Sequence, residues 1–363
     1  MVASVVYGTL FALMAMGLTL TYITTKVPNF AYGSFVTIGL YTAYTLYKLN
    51  HVNPYLGTLA AFVVTGLASV LMYLAILRPL ANRGTPLVAL MIATFGVDIG
   101  FIGVFGIFTD YLQATHGLTD AKQFFELPAD FEVLGIQGVV VVAPLVLAAI
   151  TVTLYLLFTR TKFGIAMRAS VENPSLARVV GINVERVYTV SWLLAGGFAG
   201  VAGSLYTLWL PGGTSTGSDL IVEIFASSIL GGLTSIFGAV VGGLVIGSSE
   251  DLVTTGLGLG FGYIGAGVIA LLVLVAGFSL FRRKAVRTKI AGVALAAVGI
   301  YIFIEMLTGF SADVFVMGLV SGFGSNVTPF QKAIPLLVMV VTLFFLPKGL
   351  VSIRLRRPKK VVR

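Results

Sequence analysis

Apolar runs of about twenty residues recur along most of this chain, and few charges interrupt them. The sequence is 58% hydrophobic and only 10% charged, which leaves too little polar surface for a soluble domain of 363 residues. Transmembrane β-strands would instead appear as segments of about ten residues with alternating polarity. The pattern therefore predicts an all-α fold, a polytopic transmembrane helical bundle in which residues 1–363 form a single domain.

Nine runs are long enough to cross a membrane as helices. They cover residues 2–23, 29–49, 55–77, 86–108, 137–158, 187–210, 260–281, 290–309 and 331–346. Two shorter apolar pieces, 220–232 and 236–252, flank a turn at Gly231-Gly232, and such broken helices are tolerated only where they are buried in protein or line a cavity. Small-residue spacing at Gly196/Gly200 and Gly238/Gly242 favours close packing, so ordinary packing and a pathway-lining role both stay open.

The distribution of basic residues predicts the orientation of the bundle. If the polar segment 159–186 faces the cytoplasm and the spans alternate from there, all but Lys48, Lys122 and Lys332 of the 23 basic residues lie inside. The loop at 109–136 is then external and acidic. The N-terminus is also external, provided that 29–49 crosses completely.

The segment 159–186 is a charge-dense island between two apolar runs, and it carries its own helix signals. Asn173 can cap a helix that starts at Pro174, and Gly181 lies where a left-handed residue would end it. A preceding helical turn over 164–171 would place Arg168 and Glu172 at i,i+4 spacing. A membrane protein that builds a capped helical hairpin in one loop is expected to present it to a soluble partner.

Acidic residues inside predicted spans are functional candidates because burying a charge in a membrane is costly. Asp98 lies in mid-span, and it either faces a wet pathway or is protonated or hydrogen-bonded between helices. Glu223 lies in the first short helix, and Glu305 is expected to have a structural role near an outer end.

The sequence lacks the residues that most catalytic and cofactor-binding sites need. The chain has no cysteine, and its two histidines, His51 and His116, stand in different loops without a ligand cluster. A phosphate-binding Gly-x-x-x-x-Gly-Lys-Ser/Thr motif and a His-Glu-x-x-His zinc motif are both absent from the sequence. The sequence thus predicts no metal, no bound cofactor, no nucleic-acid partner and no enzymatic activity.

Four motifs in order resemble the branched-chain amino acid permeases of ABC importers, specifically the H-type of their two paralogous membrane subunits. They are Tyr7–Tyr22 with Asn29-Phe-Ala-Tyr-Gly33; the loop residues Gly164, Arg168, Ala169, Asn173, Pro174, Ala177 and Gly181; Phe225–Gly243; and Leu346-Pro-Lys-Gly-Leu350. The resemblance covers residues 1–252 and 326–352.

This resemblance implies a transport subunit that works with partners. It implies a cytoplasmic ABC ATPase that binds the ATP, a paralogous permease subunit in a heterodimer, and an extracytoplasmic solute-binding protein, all at the plasma membrane. The residues implied to couple to the ATPase are Gly164, Arg168, Ala169, Glu172, Asn173, Pro174, Ala177 and Gly181. The pathway candidates are Asn29, Phe30, Tyr32, Gly33, Asp98, Glu223, Gly231 and Gly232.

The sequence also departs from the family. Tyr32 and Ser34 replace a histidine and a glutamate that are common in relatives, and Glu223 replaces a lysine found in some of them. Residues 256–325 resemble an inserted helical hairpin. Three functions stay open: an ABC permease for branched-chain or other small amino acids, or for urea and short amides; an ion-coupled secondary transporter of small polar solutes; and a structural subunit of a larger membrane complex.

Overall fold

A computed structural model describes residues 2–258 apart from 125, 126, 128, 129 and 134, together with 336, 339 and 340. The helices are α1 (Val2–Thr25), α2 (Tyr32–Asn50), α3 (Pro54–Met72), a π-helix (Tyr73–Leu77), α4 (Arg78–Asn82), α5 (Leu87–His116), α6 (Gly138–Arg160), α7 (Lys162–Glu172), α8 (Pro174–Val179), α9 (Val184–Tyr206), α10 (Thr216–Asp219), α11 (Ile221–Gly231) and α12 (Ile236–Gly258). Four two-residue strands are β1 (Gln123–Phe124), β2 (Glu132–Val133), β3 (Ile136–Gln137) and β4 (Gly212–Gly213).

One compact unit covers Val2–Gly247, and a second begins at Ser248. The site described below belongs to the first unit. The predicted hairpin at 256–325 and the spans at 260–281, 290–309 and 331–346 lie almost wholly outside the described residues.

Among the described residues, five helices are long and apolar enough to cross a membrane, as the sequence predicted for these regions. They are Ala3–Thr25, Pro54–Asn82, Leu87–His116, Gly138–Arg160 and Val184–Tyr206. The helix over 54–82 stays continuous through its π-helical segment. Pro79 has no backbone N–H to donate, and the wider π turn, in which Arg78 N–H donates to the Tyr73 carbonyl, accommodates this missing bond.

Helix α9 forms the centre of the unit and packs against α1, α2 and α3. Its glycines allow the backbones to approach: a Cβ at Gly196 would collide with Ser69, and one at Gly200 would lie 2.3 Å from the Ala61 carbonyl oxygen. The small-residue spacing predicted close packing here, and this is confirmed. The two long helices with the least buried surface are α5 and α6, and many of their leucine, valine and isoleucine side chains point outward, as expected of surfaces in contact with lipid.

Helix α2 begins at Tyr32, three residues after the predicted start of the span at 29, and the residues just before it are not helical. The Tyr32 hydroxyl donates to the Ala195 carbonyl at 3.2 Å, near the middle of α9, so α2 begins about half-way along its neighbour. The chain reaches that point through a non-helical stretch, residues 26–31, where Pro28 prevents continuation of α1. Helix α2 is also too polar to count among the five spans, and nearly all of its first thirteen residues are buried in protein.

The other broken region meets the start of α2. A Cβ at Gly33 would lie 2.3 Å from the Gly217 carbonyl oxygen, and Gly217 N–H donates to the Thr37 hydroxyl at 3.0 Å. Helix α10 is therefore packed against the first turns of α2. The sequence predicted short helices near 220–252; α11 has 11 residues and α12 has 23, and neither counts among the five spanning helices.

On the side of the 109–136 loop, strand β1 pairs with β4 in antiparallel register. Lys48 at the end of α2 forms a 2.8 Å ion pair with Asp120, which also accepts a hydrogen bond from Tyr44 at 2.7 Å. Partial burial raises the pKa of Asp120, but the hydrogen bonds from Lys48 and Tyr44 and the Lys48 charge outweigh it, so the pKa falls below its ordinary value. This cluster fixes the loop to the end of α2.

Candidate functional site

The predicted capped hairpin at 159–186 is present as α7 and α8. The Asn173 side chain accepts from Leu176 N–H at 3.0 Å and starts α8. Gly181 has φ +86° and follows the end of the helix, and Ile182 N–H donates to the Ala177 carbonyl at 2.9 Å. These two end signals follow from the sequence and are confirmed. Two further caps went unnoticed: Thr161 caps α7 and Asn183 caps α9.

The Arg168 side chain has a different partner from the one the spacing suggested. Its guanidinium donates to the Phe158 carbonyl near the end of α6. No ion pair joins it to Glu172 in the part of the chain that the structure describes. The free carbonyls at the end of α6 are strong acceptors and carry the negative end of the helix dipole, so an arginine is stabilised there. Arg168 thus fixes α7 to α6.

The predicted loop residues fall into a packed set and an exposed set. Gly164 and Ala177 are buried, and a Cβ at Gly164 would lie 2.3 Å from the Phe158 carbonyl oxygen. The backbone carbonyl of Ala169 accepts from Asn173 N–H at 3.0 Å, closing α7. The exposed positions of the predicted set are Arg168, Glu172, Asn173, Pro174 and Gly181.

Sequence reasoning missed an apolar surface on this loop. Leu176, Val179 and Val180 are 59%, 82% and 67% exposed, and their i, i+3, i+4 spacing places them on one side of α8. We call them the α8 patch. Ile165 in α7 is also 59% exposed. Clustered exposed apolar residues on a polar loop mark a candidate contact surface, and their spacing in the sequence was the available signal.

Glu185, in the first turn of α9, connects this loop to the transmembrane helices. Its Oε2 lies 3.0 Å from Arg78 Nε, in an ion pair without good hydrogen-bond alignment, and Oε1 lies 3.8 Å from the Arg178 guanidinium on α8. The Tyr73 hydroxyl of the π-helix also donates to Oε2, at 3.4 Å. The carboxylate therefore contacts α8 and the end of the 54–82 helix together, a role that sequence reasoning did not predict.

Of the pathway candidates near the start of α2, Phe30 contacts aromatic rings of two other helices. Phe30 lies 5.1 Å from Phe225 of α11 and 6.2 Å from Phe95 of α5 between ring centroids. Asn29 is fully buried, and neither its amide nitrogen nor its side-chain oxygen has a hydrogen-bond partner in the described part of the chain. Glu223, two residues before Phe225, is also buried, at 2% exposure.

Asp98 is hydrogen-bonded between helices, one of the alternatives left open by the sequence. The Ser34 hydroxyl donates to its carboxylate at 2.6 Å, and one turn earlier Phe30 N–H donates to the Thr94 hydroxyl at 3.2 Å. Together the two bonds join α2 and the turn before it to α5. Gly231 and Gly232 lie at the opposite end of α11 from Glu223, where Gly231 approaches the Gly238 carbonyl and Gly232 has φ +98°. They form the tight turn into α12.

No group of histidine and acidic side chains among the described residues is arranged to hold a metal ion. Several positions that pack, cap or carry charge in this structure belong to the motifs quoted above, which makes comparison with known proteins informative.

Residues 1–281 match the family model described as "branched-chain amino acid transport system / permease component". The chain is 45% identical over 276 residues to a probable branched-chain amino acid transport permease protein LivH of Methanocaldococcus jannaschii, covering 75% of this chain and 87% of the relative. It is 28% identical over 274 residues to LivH of Escherichia coli, covering 68% and 83% of the two chains. It is 29% identical over 269 residues to BraD of Pseudomonas aeruginosa, covering 67% and 81%.

No solved structure matches the chain significantly. The family model covers well over half of the sequence, and the spanning helices of the structure agree with a multi-pass membrane protein. The chain therefore belongs to the family of permease components of branched-chain amino acid transport systems.

Proposed function

We propose that this chain is the membrane permease of an ABC importer that moves branched-chain or related small amino acids across the plasma membrane. The observation that carries the proposal is the α7–α8 hairpin, which is capped at its ends, fixed to α6 by Arg168 and exposed at the α8 patch. An ion-coupled carrier would have no use for such a loop. The similar proteins are named as branched-chain amino acid transport permeases, and this supports the choice of substrate class.

In this proposal a separate ATPase binds ATP and covers the α8 patch. Its movement on nucleotide binding reaches the helices through two connections, Arg168 to the end of α6 and Glu185 to the π-helix. A paralogous permease subunit completes the pathway, and a solute-binding protein delivers the substrate to the opposite side. Because this chain would bind no nucleotide or metal itself, its own contribution is to guide the substrate and to change shape.

The substrate path is proposed to pass the place where α2 and α11 begin. Non-helical backbone at membrane depth is tolerated where it lines a pathway, and helix N-termini there favour a carboxylate. The buried amide of Asn29 and the carboxyl of Glu223 supply polar groups for an amino acid at this level. Gly231 and Gly232 are then structural, because they form the turn between α11 and α12.

The test uses Gly181→Val in the transporter assembled with its ATPase and binding protein. A residue with a Cβ is disfavoured by about 1 kcal/mol in the left-handed region, so the end of α8 shifts while the bundle stays folded. Substrate-stimulated ATP hydrolysis is expected to fall about tenfold, a coupling loss of ordinary size. Insertion and expression should stay near the wild-type level.

Gly84→Val is the matched control. Gly84 also has positive φ, +72°, and open space around its Cα, but it lies in the turn before α5 and outside the hairpin. If Gly181→Val and wild type hydrolyse ATP equally, or if Gly84→Val loses as much activity, the hairpin is not the coupling element and the proposal fails.

A further inference from the structure

A cavity of about 470 Å³ lies between the α7–α8 hairpin and the adjacent ends of the transmembrane helices. Its walls come from the end of α1, the π-helix and α4, the first turns of α5, the hairpin and the start of α9. The pathway candidates Asn29, Asp98 and Glu223 do not line it, so it is a separate site.

The cavity has an excess of positive charge. Lys26, Arg78 and Arg178 line it together with a single acidic residue, Glu185. Glu185 forms ion pairs with both arginines. Lys26 forms no ion pair within the described residues, and its ammonium lies 5.9 Å from the centre of the Tyr22 ring. Three cations around one carboxylate leave an excess of positive charge at the cavity, which an anion would neutralise.

Geometry also favours an anion at this place. Lys26 stands after α1, Arg78 begins α4 and Arg178 belongs to α8, so three separate chain segments direct basic groups to one space. Lys26 has a left-handed backbone, φ +58°, a conformation that is unfavourable for a residue with a Cβ, and its side chain lines the cavity.

The neighbouring surface is apolar. Leu87 and Val88 at the start of α5 are 50% and 65% exposed, and Leu71 in α3 is 68% exposed. The cavity itself is lined in part by Ile23, Leu77 and Leu90. A ligand held here would therefore meet basic groups at one end and the lipid-facing sides of α3 and α5 at the other.

We propose that this cavity binds the phosphate headgroup of an anionic phospholipid, with an acyl chain along the exposed faces of α3 and α5. Basic pockets between helices on the cytoplasmic side bind such headgroups, and long basic side chains reach them at the interface. The phosphate bridges Lys26, Arg78 and Arg178. Because Arg178 is part of α8, the lipid ties the hairpin to the helix ends.

The lipid is favoured over a soluble phosphate because the walls and the adjoining helix faces are apolar. The two ligands share the same phosphate chemistry, so the experiment must separate them. The purified full-length chain is placed in vesicles that contain phosphatidylglycerol and phosphatidylcholine in equal amounts. Native mass spectrometry then measures which lipid the protein retains, with and without an excess of millimolar inorganic phosphate.

Wild type should retain phosphatidylglycerol in preference to phosphatidylcholine, and Lys26→Gln should lower that retention about fivefold, the effect of one interfacial basic residue. Lys162→Gln is the matched control, since Lys162 is an exposed lysine of the same loop region that does not line the cavity. Equal retention by all three proteins would overturn the proposal. If inorganic phosphate abolishes the preference for phosphatidylglycerol, the cavity binds a soluble phosphate rather than a lipid.

A second measurement keeps the proposal testable if Lys26→Gln inserts poorly. The chain has no cysteine, so Ala81→Cys places one thiol in the cavity wall and Ser175→Cys places one on the exposed side of α8. Phosphatidylglycerol vesicles should slow maleimide labelling at Ala81→Cys relative to phosphatidylcholine vesicles, and leave Ser175→Cys unchanged. Equal labelling of Ala81→Cys in both lipids contradicts occupancy of the cavity.

Discussion

Asp98 illustrates how one buried acidic residue can be interpreted from its partner. In the sequence it stands alone in a long apolar run, where a charge is costly and a functional role is the default expectation. In the structure its carboxylate accepts a 2.6 Å hydrogen bond from Ser34, and the nearby Thr94 accepts from Phe30 N–H. The first contact joins α2 to α5 and the second joins the turn before α2 to α5, which indicates that Asp98 positions the start of α2.

The Asp98→Asn variant tests this role. Asparagine keeps an acceptor for the Ser34 hydroxyl but can carry no charge, so substrate uptake should stay within about twofold of wild type, as expected when one uncharged hydrogen bond replaces another. Asp98→Ala removes the acceptor and should destabilise the protein by about 1–3 kcal/mol. Uptake by reconstituted vesicles and thermal unfolding in detergent measure the two effects. A stable Asp98→Asn protein without uptake would show that the carboxylate itself acts in transport.

Among the helices, the connection between α8 and the 54–82 helix depends on a small polar cluster. Glu185 contacts Arg178 of α8, Arg78 at the start of α4 and Tyr73 in the π-helix. The Tyr73 ring also stacks on Trp192 of α9, at 5.3 Å between centroids. A π-helical segment is easily rearranged and often occurs at functional sites. Movement of α8 can therefore reach α3 and α9 through this one cluster.

Glu185→Gln should weaken this connection without unfolding the bundle. Glutamine preserves the size of the side chain but loses the charge that holds both arginines, so uptake per ATP hydrolysed is expected to fall about fivefold, the lower end of usual coupling effects. Glu172→Gln is the control, because Glu172 is exposed and forms no ion pair among the described residues. Uptake and ATP hydrolysis are measured together in reconstituted vesicles. Equal ratios for the two variants would exclude Glu185 from coupling.

For the protein as a whole, the structure groups the charged loops as the orientation argument predicted. Lys26, Arg78 and Arg178 line one cavity at one end of the bundle. Lys48 and Lys122 pair with Asp120 and Asp110 in the 109–136 region. The two sets therefore belong to opposite ends, which agrees with alternating spans. Which end faces the cytoplasm stays a prediction from the excess of basic residues.

Labelling of single cysteines tests that orientation in intact cells. An impermeant thiol reagent should label Ala114→Cys, an exposed position near the end of α5, and should not reach Ser175→Cys in the hairpin until the cells are opened. The cysteine-free background removes competing thiols. Labelling of Ser175→Cys from outside would reverse the whole topology and place the α8 patch away from any cytoplasmic ATPase.

Local sequence signals were enough for the all-α class, the five long spans and the ends of the hairpin. Apolar length, Asn173 before Pro174, and a glycine at position 181 act through neighbouring backbone atoms, so their effect does not depend on distant residues. The family was also recognisable from the sequence, because each of its motifs lies within a short stretch of the chain.

Tertiary packing decided the remainder. The sequence predicted a span from residue 29, yet α2 starts at Tyr32 beside Ala195, where contacts with α9 and α10 bury its polar first turns. Arg168 contacts Phe158 rather than Glu172, because the last carbonyls of α6 lack partners within the helix, whereas an exposed ion pair with Glu172 would contribute little. The Glu185 cluster and the basic cavity join residues from distant parts of the chain. Only the folded chain brings those charges together, and no local pattern encodes such a contact.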